Sequence, residues 1–312
     1  MGKTLRIGII TAYLAEDWHS QQLVAAAKAY GDAVVIRPEQ LAASLTRDGV
    51  ALLTRGLTLD SMDGFVLARG FGERGNADFL VPVYQILERT GTVLVNSINA
   101  VLTAIDKFES SYRLQQAGLP TPNVAVVQDA GMGRQVLRAW GRAVAKPLFG
   151  SLGLGIELLE DTAPGRAVLP VLLERFGAVY LQEYISRPER DIRAFVVGDR
   201  VEASMYRRAA PGSWVTNIHQ GGEAEACELD PATQRLAVAA AQAIGLDYTG
   251  VDLLEGPEGP VVIEVNGNPL WRGLLQATGR NMADAILAWV VQRILTTTRK
   301  GGERHAEATP QR

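Results

Sequence analysis

The first hundred residues alternate short apolar segments with helical patterns. This alternation restricts the possible folds more than any other feature of the sequence. Four of the apolar segments are rich in valine, isoleucine and leucine and have the length of strands buried on both faces, namely residues 5–11, 33–36, 65–68 and 93–95. Apolar residues at helical spacing lie between them at 20–30 and 78–90. The alternation predicts a layered α/β domain with right-handed crossovers. No glycine cluster follows the first strand, which argues against a dehydrogenase-type dinucleotide site.

After residue 97 the pattern changes to α+β. Strands are predicted at 123–128, 143–146, 156–159 and 179–184, with helices at 106–117, 133–140 and 166–176. Two hairpins follow, 191–197 with 201–207 around the turn Gly198-Asp199, and 248–254 with 260–265. Helices are predicted at 232–244 and 282–294. Residues 298–312 contain only alanine as an apolar residue and are expected to form a disordered tail.

Length and composition exclude several classes of protein. A chain of 312 residues is too long for one ordinary core, so two or three domains are expected. The net charge of −3 provides no positive field for nucleic acid, and one cysteine excludes an internal disulfide. No apolar segment approaches the ~18–20 residues that span a bilayer. The start of the chain loosely imitates a signal peptide, but a buried first strand is favoured. We expect a cytoplasmic protein.

The last hairpin places oxygen ligands together. Residues two apart in a strand share a face, so Asp252 lies on one face of its strand, and Glu264 and Asn266 share a face of the partner strand. Two carboxylates and an amide oxygen suit Mg²⁺, which fills its octahedron with waters and substrate phosphates. A solvated polar face is the alternative. The apolar residues on the opposite face favour the metal site.

A second candidate site follows the strand that ends at Lys146. The loop after it contains Gly150, Ser151 and Gly153, and its glycines would let backbone N–H groups approach phosphate oxygens while the lysine supplies a charge. The lysine precedes the glycines, so the loop is not a Walker motif. A plain flexible connection is the alternative, but the metal trio downstream favours a nucleotide site.

Two further polar segments are compatible with nucleotide binding. The segment Gln182-Glu183-Tyr184-Ile185 ends a strand, where backbone groups can read an adenine edge. A strand that merely leaves the core would look the same. Asp191, Arg193 and the pair Arg207-Arg208 lie on paired strands, and Asn217 lies beyond them. Surface salt bridges would explain these arginines equally well.

In combination, these motifs resemble the ATP-grasp ligases, and in particular the RimK-like α-L-glutamate ligases. The resemblance is strongest over residues 97–285 and rests on motifs in the family's order, which are Lys107, Lys146 with its glycine loop, 182–185, 191–193, 207–209, 217–222, 250–252 and 264–266. It implies an ATP-grasp fold of mixed α/β and α+β type. The implied domains are an N-terminal α/β domain (1–96), a small nucleotide-clasping domain (97–184), and a catalytic metal-binding domain (185–297).

The resemblance also implies a role for each site residue. Lys107 and Lys146 would contact ATP phosphates, Glu183 and Ile185 would read adenine, and Asp191 would lie at the ribose. Asp252, Glu264 and Asn266 would bind two Mg²⁺ ions, with Mn²⁺ as a substitute. The positions near the γ-phosphate would be Arg193, Arg208 and Asn217. Val215 stands where the family often has arginine, which leaves one nucleotide contact open.

The family's reaction joins a carboxylate to an amine through an acyl-phosphate, at the expense of ATP. The expected substrates are L-glutamate or a similar amino acid and a small acidic acceptor of the tetrahydromethanopterin type. A ribosomal-protein, amino-group-carrier or dipeptide ligase, a non-catalytic nucleotide-binding module and a homo-oligomer stay open. Trp271 and Arg272, which follow the last metal ligand, are expected to border the acceptor. The alternative for Trp271 is a core residue packed on helix 282–294.

Overall fold

The computed structural model describes residues 4–70, 74–150, 155–209, 216 and 222–307, with the side chains of 298–307 left out. Its N-terminal part is a parallel sheet of order β2-β1-β6-β7 with helices α1 and α2. The predicted strands and helices are all present, with bounds β1 Leu5–Thr11, α1 Trp18–Ala27, β2 Gly31–Ile36, β6 Gly64–Arg69, α2 Ala77–Arg89 and β7 Val93–Val95.

Between β2 and β6 the chain forms a three-stranded antiparallel sheet that the sequence analysis missed. Its strands are β3 Leu41–Thr46, β4 Gly49–Thr54 and β5 Leu57–Thr58. Only Leu41, Leu52 and Thr54 of this sheet are buried, so most of it lies at the surface. Exposed strands have weak apolar alternation, which explains why the pattern did not reveal them.

The central part of the chain is a small antiparallel sheet of order β10-β9-β11-β8. Two helices precede it, α3 and α4, and two helices, α5 and α6, cover one face. The bounds are α3 Ile98–Ile105, α4 Lys107–Gln116, β8 Val124–Val127, α5 Ala130–Trp140, β9 Arg142–Pro147, β10 Glu157–Glu160, α6 Ala163–Phe176 and β11 Val179–Glu183. Helix α3 was not predicted. The sheet and its helices have a hydrophobic core of their own.

The C-terminal part is a five-stranded antiparallel sheet of order β14-β13-β12-β15-β16. The bounds are β12 Arg190–Val197, β13 Arg200–Arg208, β14 Glu223–Ala226, α7 Pro231–Ile244, β15 Tyr248–Gly256, β16 Gly259–Asn266, α8 Arg272–Thr278 and α9 Met282–Glu307. Helix α7 packs on the apolar face, with Ile192, Val251 and Leu253 in one cluster. Strand β14 and helix α8 were not predicted.

Helix α9 extends into the segment 298–312, whose disorder stays a prediction. Its backbone continues to Glu307, past residue 298 where the disordered segment was expected to begin, and 308–312 lie outside the described residues. A helix that is packed over its first turns adds one hydrogen bond for each further residue, so it can propagate through a polar segment. Among the described residues, no helix combines the length and apolar character that a bilayer crossing requires.

The hydrophobic cores bear on the predicted domains. Two of the clusters each join residues from the N-terminal sheet with residues from the five-stranded sheet, whereas the third is confined to residues 127–181. The small sheet therefore has a separate core, and the other two parts share theirs. The domain boundaries at 96, 184 and 297 stay a prediction.

Candidate active site

The hairpin of β15 and β16 brings the predicted metal ligands onto one face. Asp252 lies directly opposite Glu264, and Gly250 lies opposite Asn266. A register shift beside Asp252 leaves Ile263 as an extra residue in β16. Without this bulge, the pairing counted from the turn would place Ile263 opposite Asp252 and would direct Glu264 to the other face. The predicted convergence is thus what the structure shows, and it depends on the bulge.

Behind Asp252 lies a buried charge network, here called the arginine network, which consists of Asp191, Arg193, Arg207, Thr216 and Asp252. Arg193 donates to both oxygens of Asp252. Arg207 donates from Nε and Nη2 to the two oxygens of Asp191 at 2.7 and 2.8 Å, and its Nη2 is 3.1 Å from Oδ2 of Asp252. Burial alone would raise the pKa of Asp252, but the two guanidinium groups hold it below its ordinary value. Asp252 is therefore ionised.

Arg207 takes the place that the sequence analysis gave to Arg208. The side chain of Arg208 is 47% exposed and pairs with Glu225 at 2.9 Å, on the face opposite to Asp252. The reason is a second bulge. Counted from the pair Val197–Arg200, a regular hairpin would put Arg208 on the face of Asp191, but the extra residue Glu202 shifts the register and puts Arg207 there.

The network also contains Asp191, which was expected to lie at the ribose. Its buried carboxylate accepts from Arg207 on both oxygens and from the Thr216 hydroxyl on Oδ2. Asp191 therefore orients Arg207, and its contact with the ribose stays a prediction. Asn217, and Val215 where the family often has arginine, lie outside the described residues.

The opposite wall of the cleft carries the two predicted lysines. Together with Tyr180, Gln182 and Glu264 they line one pocket, here called the lysine pocket. Lys146 Nζ donates to Gln182 Oε1 at 2.9 Å, and Lys107 Nζ donates to the carbonyl of Gly150 at 2.8 Å. Neither lysine has an ion-pair partner in the described part of the chain. Burial lowers the pKa of both lysines, and the carboxylate of Glu264 opposes that effect.

Gln182 connects the two walls. Its Nε2 lies 3.4 Å from the carbonyl of Ile263, the bulge residue of β16, and 3.5 Å from the hydroxyl of Tyr180. Tyr180 is itself 2.8 Å from the hydroxyl of Ser111 on α4. The sequence analysis missed Tyr180 and Ser111. Tyr180 stands two residues before Gln182 in β11, so strand alternation could have placed it on the same face. The cavity volume of the pocket is about 20 Å³.

The segment expected to read adenine lies at the end of β11. The N–H of Glu183 donates to the carbonyl of Asn123 at 2.8 Å, and the N–H of Tyr184 donates to that of Arg142 at 3.1 Å. Glu183, Tyr184 and Ile185 are not among the residues that line the lysine pocket, so their contact with adenine stays a prediction. Ser151 and Gly153 lie outside the described residues.

The residues expected at the acceptor behave differently from each other. Trp271 is 2% exposed, and its indole donates to Asn281 at 3.1 Å and packs edge-on against His19 and Phe195. The predicted acceptor contact of Trp271 is therefore wrong, and the core alternative is right, because His19 and α9 enclose the ring. Arg272 is exposed at the start of α8.

Comparison with known proteins shows the family. Residues 104–290 match the model of the RimK-like ATP-grasp domain. The chain belongs to the RimK-like ATP-grasp family. It is 34% identical to the tetrahydromethanopterin:α-L-glutamate ligase of Methanosarcina acetivorans, over 88% of this chain and 95% of that one. A Shewanella amazonensis protein described as a probable α-L-glutamate ligase is 32% identical, over 88% and 92% of the two chains.

Solved structures confirm the fold. The ATP-grasp ligase PsnB, complexed with a phosphomimetic variant of its minimal precursor, Mg and ADP, superposes with a TM-score of 0.74. The superposition covers 94% of this chain and all of PsnB, at 20% identity. The predicted ATP-grasp fold of mixed α/β and α+β type is thereby confirmed, and the chain is a member of a ligase family.

Proposed function

We propose that this protein is an ATP-dependent ligase that joins L-glutamate to a carboxylate of a small acidic acceptor. Similarity to tetrahydromethanopterin:α-L-glutamate ligases over most of the chain supports this substrate pair. One structural observation carries the proposal. Two lysines without ion-pair partners among the described residues face Glu264, whose carboxylate has no hydrogen bond or ion pair within the same residues. Such a cleft is completed by an anion on one side and a cation on the other.

The cation is proposed to be Mg²⁺, with two ions and Mn²⁺ as a substitute. Its ligands would be Glu264, Asp252 and the amide oxygen of Asn266, whose Nδ2 is held by the carbonyl of Gly250 at 2.9 Å. Of about four lone-pair positions on Asp252, the arginines use three, so this carboxylate can offer one more. The donor set is all oxygen and fits a hard cation that keeps several waters. When bound, the metal would supply positive charge to the phosphate oxygens.

The residues of the cleft would act on ATP and the acceptor as follows. Lys107 and Lys146 would hold phosphate oxygens, since they are the cations whose charge is not already paired. An oxygen of the acceptor carboxylate attacks the γ-phosphorus, and ADP leaves. The neutral amine of glutamate then attacks the acyl carbon, loses a proton to solvent, and displaces phosphate as the amide forms. The first step brings two anions together, and both steps develop negative charge on the leaving phosphate, so fixed cations lower the barrier. We place this reaction in the cytoplasm.

The test is product analysis. The protein is incubated with ATP, Mg²⁺, isotope-labelled L-glutamate and, in separate reactions, tetrahydromethanopterin, a ribosomal C-terminal peptide and an amino-group carrier. ADP release and a mass increase of one labelled glutamyl residue on tetrahydromethanopterin are expected. If the labelled residue is found on another acceptor, the protein is a ligase with a different substrate. ATP binding without ADP formation in any mixture would indicate a non-catalytic nucleotide-binding module. Sedimentation of the same sample tests for a homo-oligomer.

A further inference from the structure

The carboxyl ends of the N-terminal strands abut the segment that follows the last proposed metal ligand. Asn96, directly after β7, donates to the carbonyl of Gly267 at 3.3 Å, and Arg69, at the end of β6, lies 3.5 Å from the carbonyl of Asn268. The N–H of Trp271 donates to His19 at 3.2 Å. Trp271 packs on Phe195. Phe195 shares the face of Arg193 and Asp252, so the strand ends stand beside the proposed reaction centre.

The topology of the parallel sheet makes this edge a binding position. In the order β2-β1-β6-β7, the chain leaves β1 toward one side of the sheet and returns on the other at β6. Connections therefore diverge between β1 and β6 and open a crevice at their carboxyl ends, where ligands of open α/β sheets bind. None of the predicted nucleotide or metal residues that the structure describes belongs to the segments at this edge.

Three arginines and two aromatic rings surround it and define what is here called the strand-end crevice: Tyr13, Trp18, Arg69, Arg74 and Arg272. The guanidinium carbon of Arg74 lies 5.1 Å from the ring centroid of Tyr13, and that of Arg272 lies 5.1 Å from that of Trp18. The arrangement offers flat apolar faces beside cations.

The charges of the crevice are not balanced. Arg69 is 3.6 Å from Asp17, and Arg74 is 3.6 Å from Glu16. Arg272 has no acidic partner in the described part of the chain. Asp17 is further committed as the cap of α1, because it accepts from the N–H and hydroxyl of Ser20 at 2.9 and 2.6 Å. Among the described residues, the crevice therefore retains a positive charge that an anionic ligand would neutralise.

We propose that the strand-end crevice binds the acceptor through an anionic group remote from the reacting carboxylate, with Arg272 and Arg74 at the anion and Tyr13 and Trp18 against a flat ring. This proposal adds a binding site to the proposed function, and the identity of the ligand rests on that function. The lysine pocket is left for ATP, because its cations belong to α4 and β9 on the other wall. Bidentate guanidinium groups beside aromatic faces suit a pterin-like ring that carries carboxylates.

The test compares Arg272→Leu, Arg74→Leu and a matched control, Arg235→Leu, which removes an exposed arginine from α7. Binding of tetrahydromethanopterin is measured without ATP through quenching of tryptophan fluorescence, and ATP binding is measured separately by calorimetry. Loss of a charge-assisted contact should weaken acceptor binding by at least about tenfold in the first two variants. ATP affinity and the control should stay within about twofold of wild type.

Steady-state assays give the second readout. The KM for the acceptor should rise in the crevice variants while kcat at saturating acceptor and the KM for ATP change little. If the wild-type protein binds the acceptor but forms no product, the ligase proposal is wrong and the proposal for the crevice stands. No binding by wild type, equal binding by all four proteins, or a parallel rise in both KM values would overturn the crevice.

Discussion

The two walls of the cleft differ in how their charges are compensated. In the arginine network each guanidinium group is bonded to a buried carboxylate, so the charges neutralise each other within the protein. In the lysine pocket Lys107 and Lys146 bond only to uncharged oxygens among the described residues. A buried charge without an opposite partner is costly. The difference indicates that the arginines of the network hold Asp191 and Asp252 in place, whereas the charges of the lysine pocket are completed by a ligand.

The largest effect on stability is expected in the arginine network, where the charges neutralise each other. Arg207→Leu leaves Asp191 and Asp252 buried without their shared cation, so the free energy of unfolding should fall by about 3–5 kcal/mol. The neighbour Arg208 is the matched control. It pairs with Glu225 at the surface, and Arg208→Leu should cost about 0–1 kcal/mol. Urea unfolding of both variants measures the difference. Equal losses would mean that the bulge at Glu202 does not separate the two arginines as described.

The lysine pocket should behave in the opposite way, with a small effect on stability and a large effect on ligand binding. Lys146→Met removes a buried charge that has no ion-pair partner among the described residues, and this gain offsets the lost hydrogen bond to Gln182, so the free energy of unfolding should change little. ATP affinity should fall by roughly 10- to 150-fold, the value of a charge-assisted phosphate contact. Calorimetry with Mg²⁺ present checks this, with Lys28→Met, which removes an exposed lysine, as the control. If Lys146→Met lowers the free energy of unfolding and leaves the ATP affinity unchanged, Lys146 has a structural role and does not bind ATP.

A smaller effect concerns Tyr180, an uncharged side chain of the lysine pocket. Burial raises the pKa of Tyr180 to about 12, and the carboxylate of Glu264 adds to that effect. A phenol with its ordinary pKa would be about nine-tenths ionised at pH 11. Absorbance at pH 11 should therefore be the same in wild type and Tyr180→Phe. Tyr112→Phe, which removes a half-exposed ring, calibrates the loss of one phenolate. Equal losses in both variants would contradict the burial of Tyr180.

Strand alternation made most of the site predictable. The spacing of Asp252, Glu264 and Asn266, and the position of Lys146 at a strand end, are local properties of the chain, and the structure places these residues around one cleft. The two bulges are not local in this sense. An extra residue is accommodated wherever cross-strand packing favours it, so the sequence alone does not show that Arg207 shares the face of Asp191, in place of the Arg208 that the family resemblance implied.

The remaining errors also have a long-range origin. Trp271 is buried because His19, more than 250 residues earlier, and Phe195 enclose its ring, and no local pattern records such contacts. The sheet of β3–β5 escaped because it lies mostly at the surface, where strands need not alternate. The strand-end crevice escaped for a related reason. Arg272 is far in the sequence from Arg69 and Arg74, and the tertiary fold brings it to the edge of the parallel sheet where they lie.

Glu264 faces the lysine pocket and is proposed to complete the ligase site with its carboxylate. This role is tested by the rate of ADP formation in a single turnover by Glu264→Gln, with Glu258→Gln at the exposed turn of the same hairpin as the control. Glutamine has nearly the same volume as glutamate and lacks the charge. The rate should fall at least about a hundredfold in Glu264→Gln, with folding intact, and should be unchanged in the control. Similar rates in the two variants at saturating Mg²⁺ would rule out this role of Glu264.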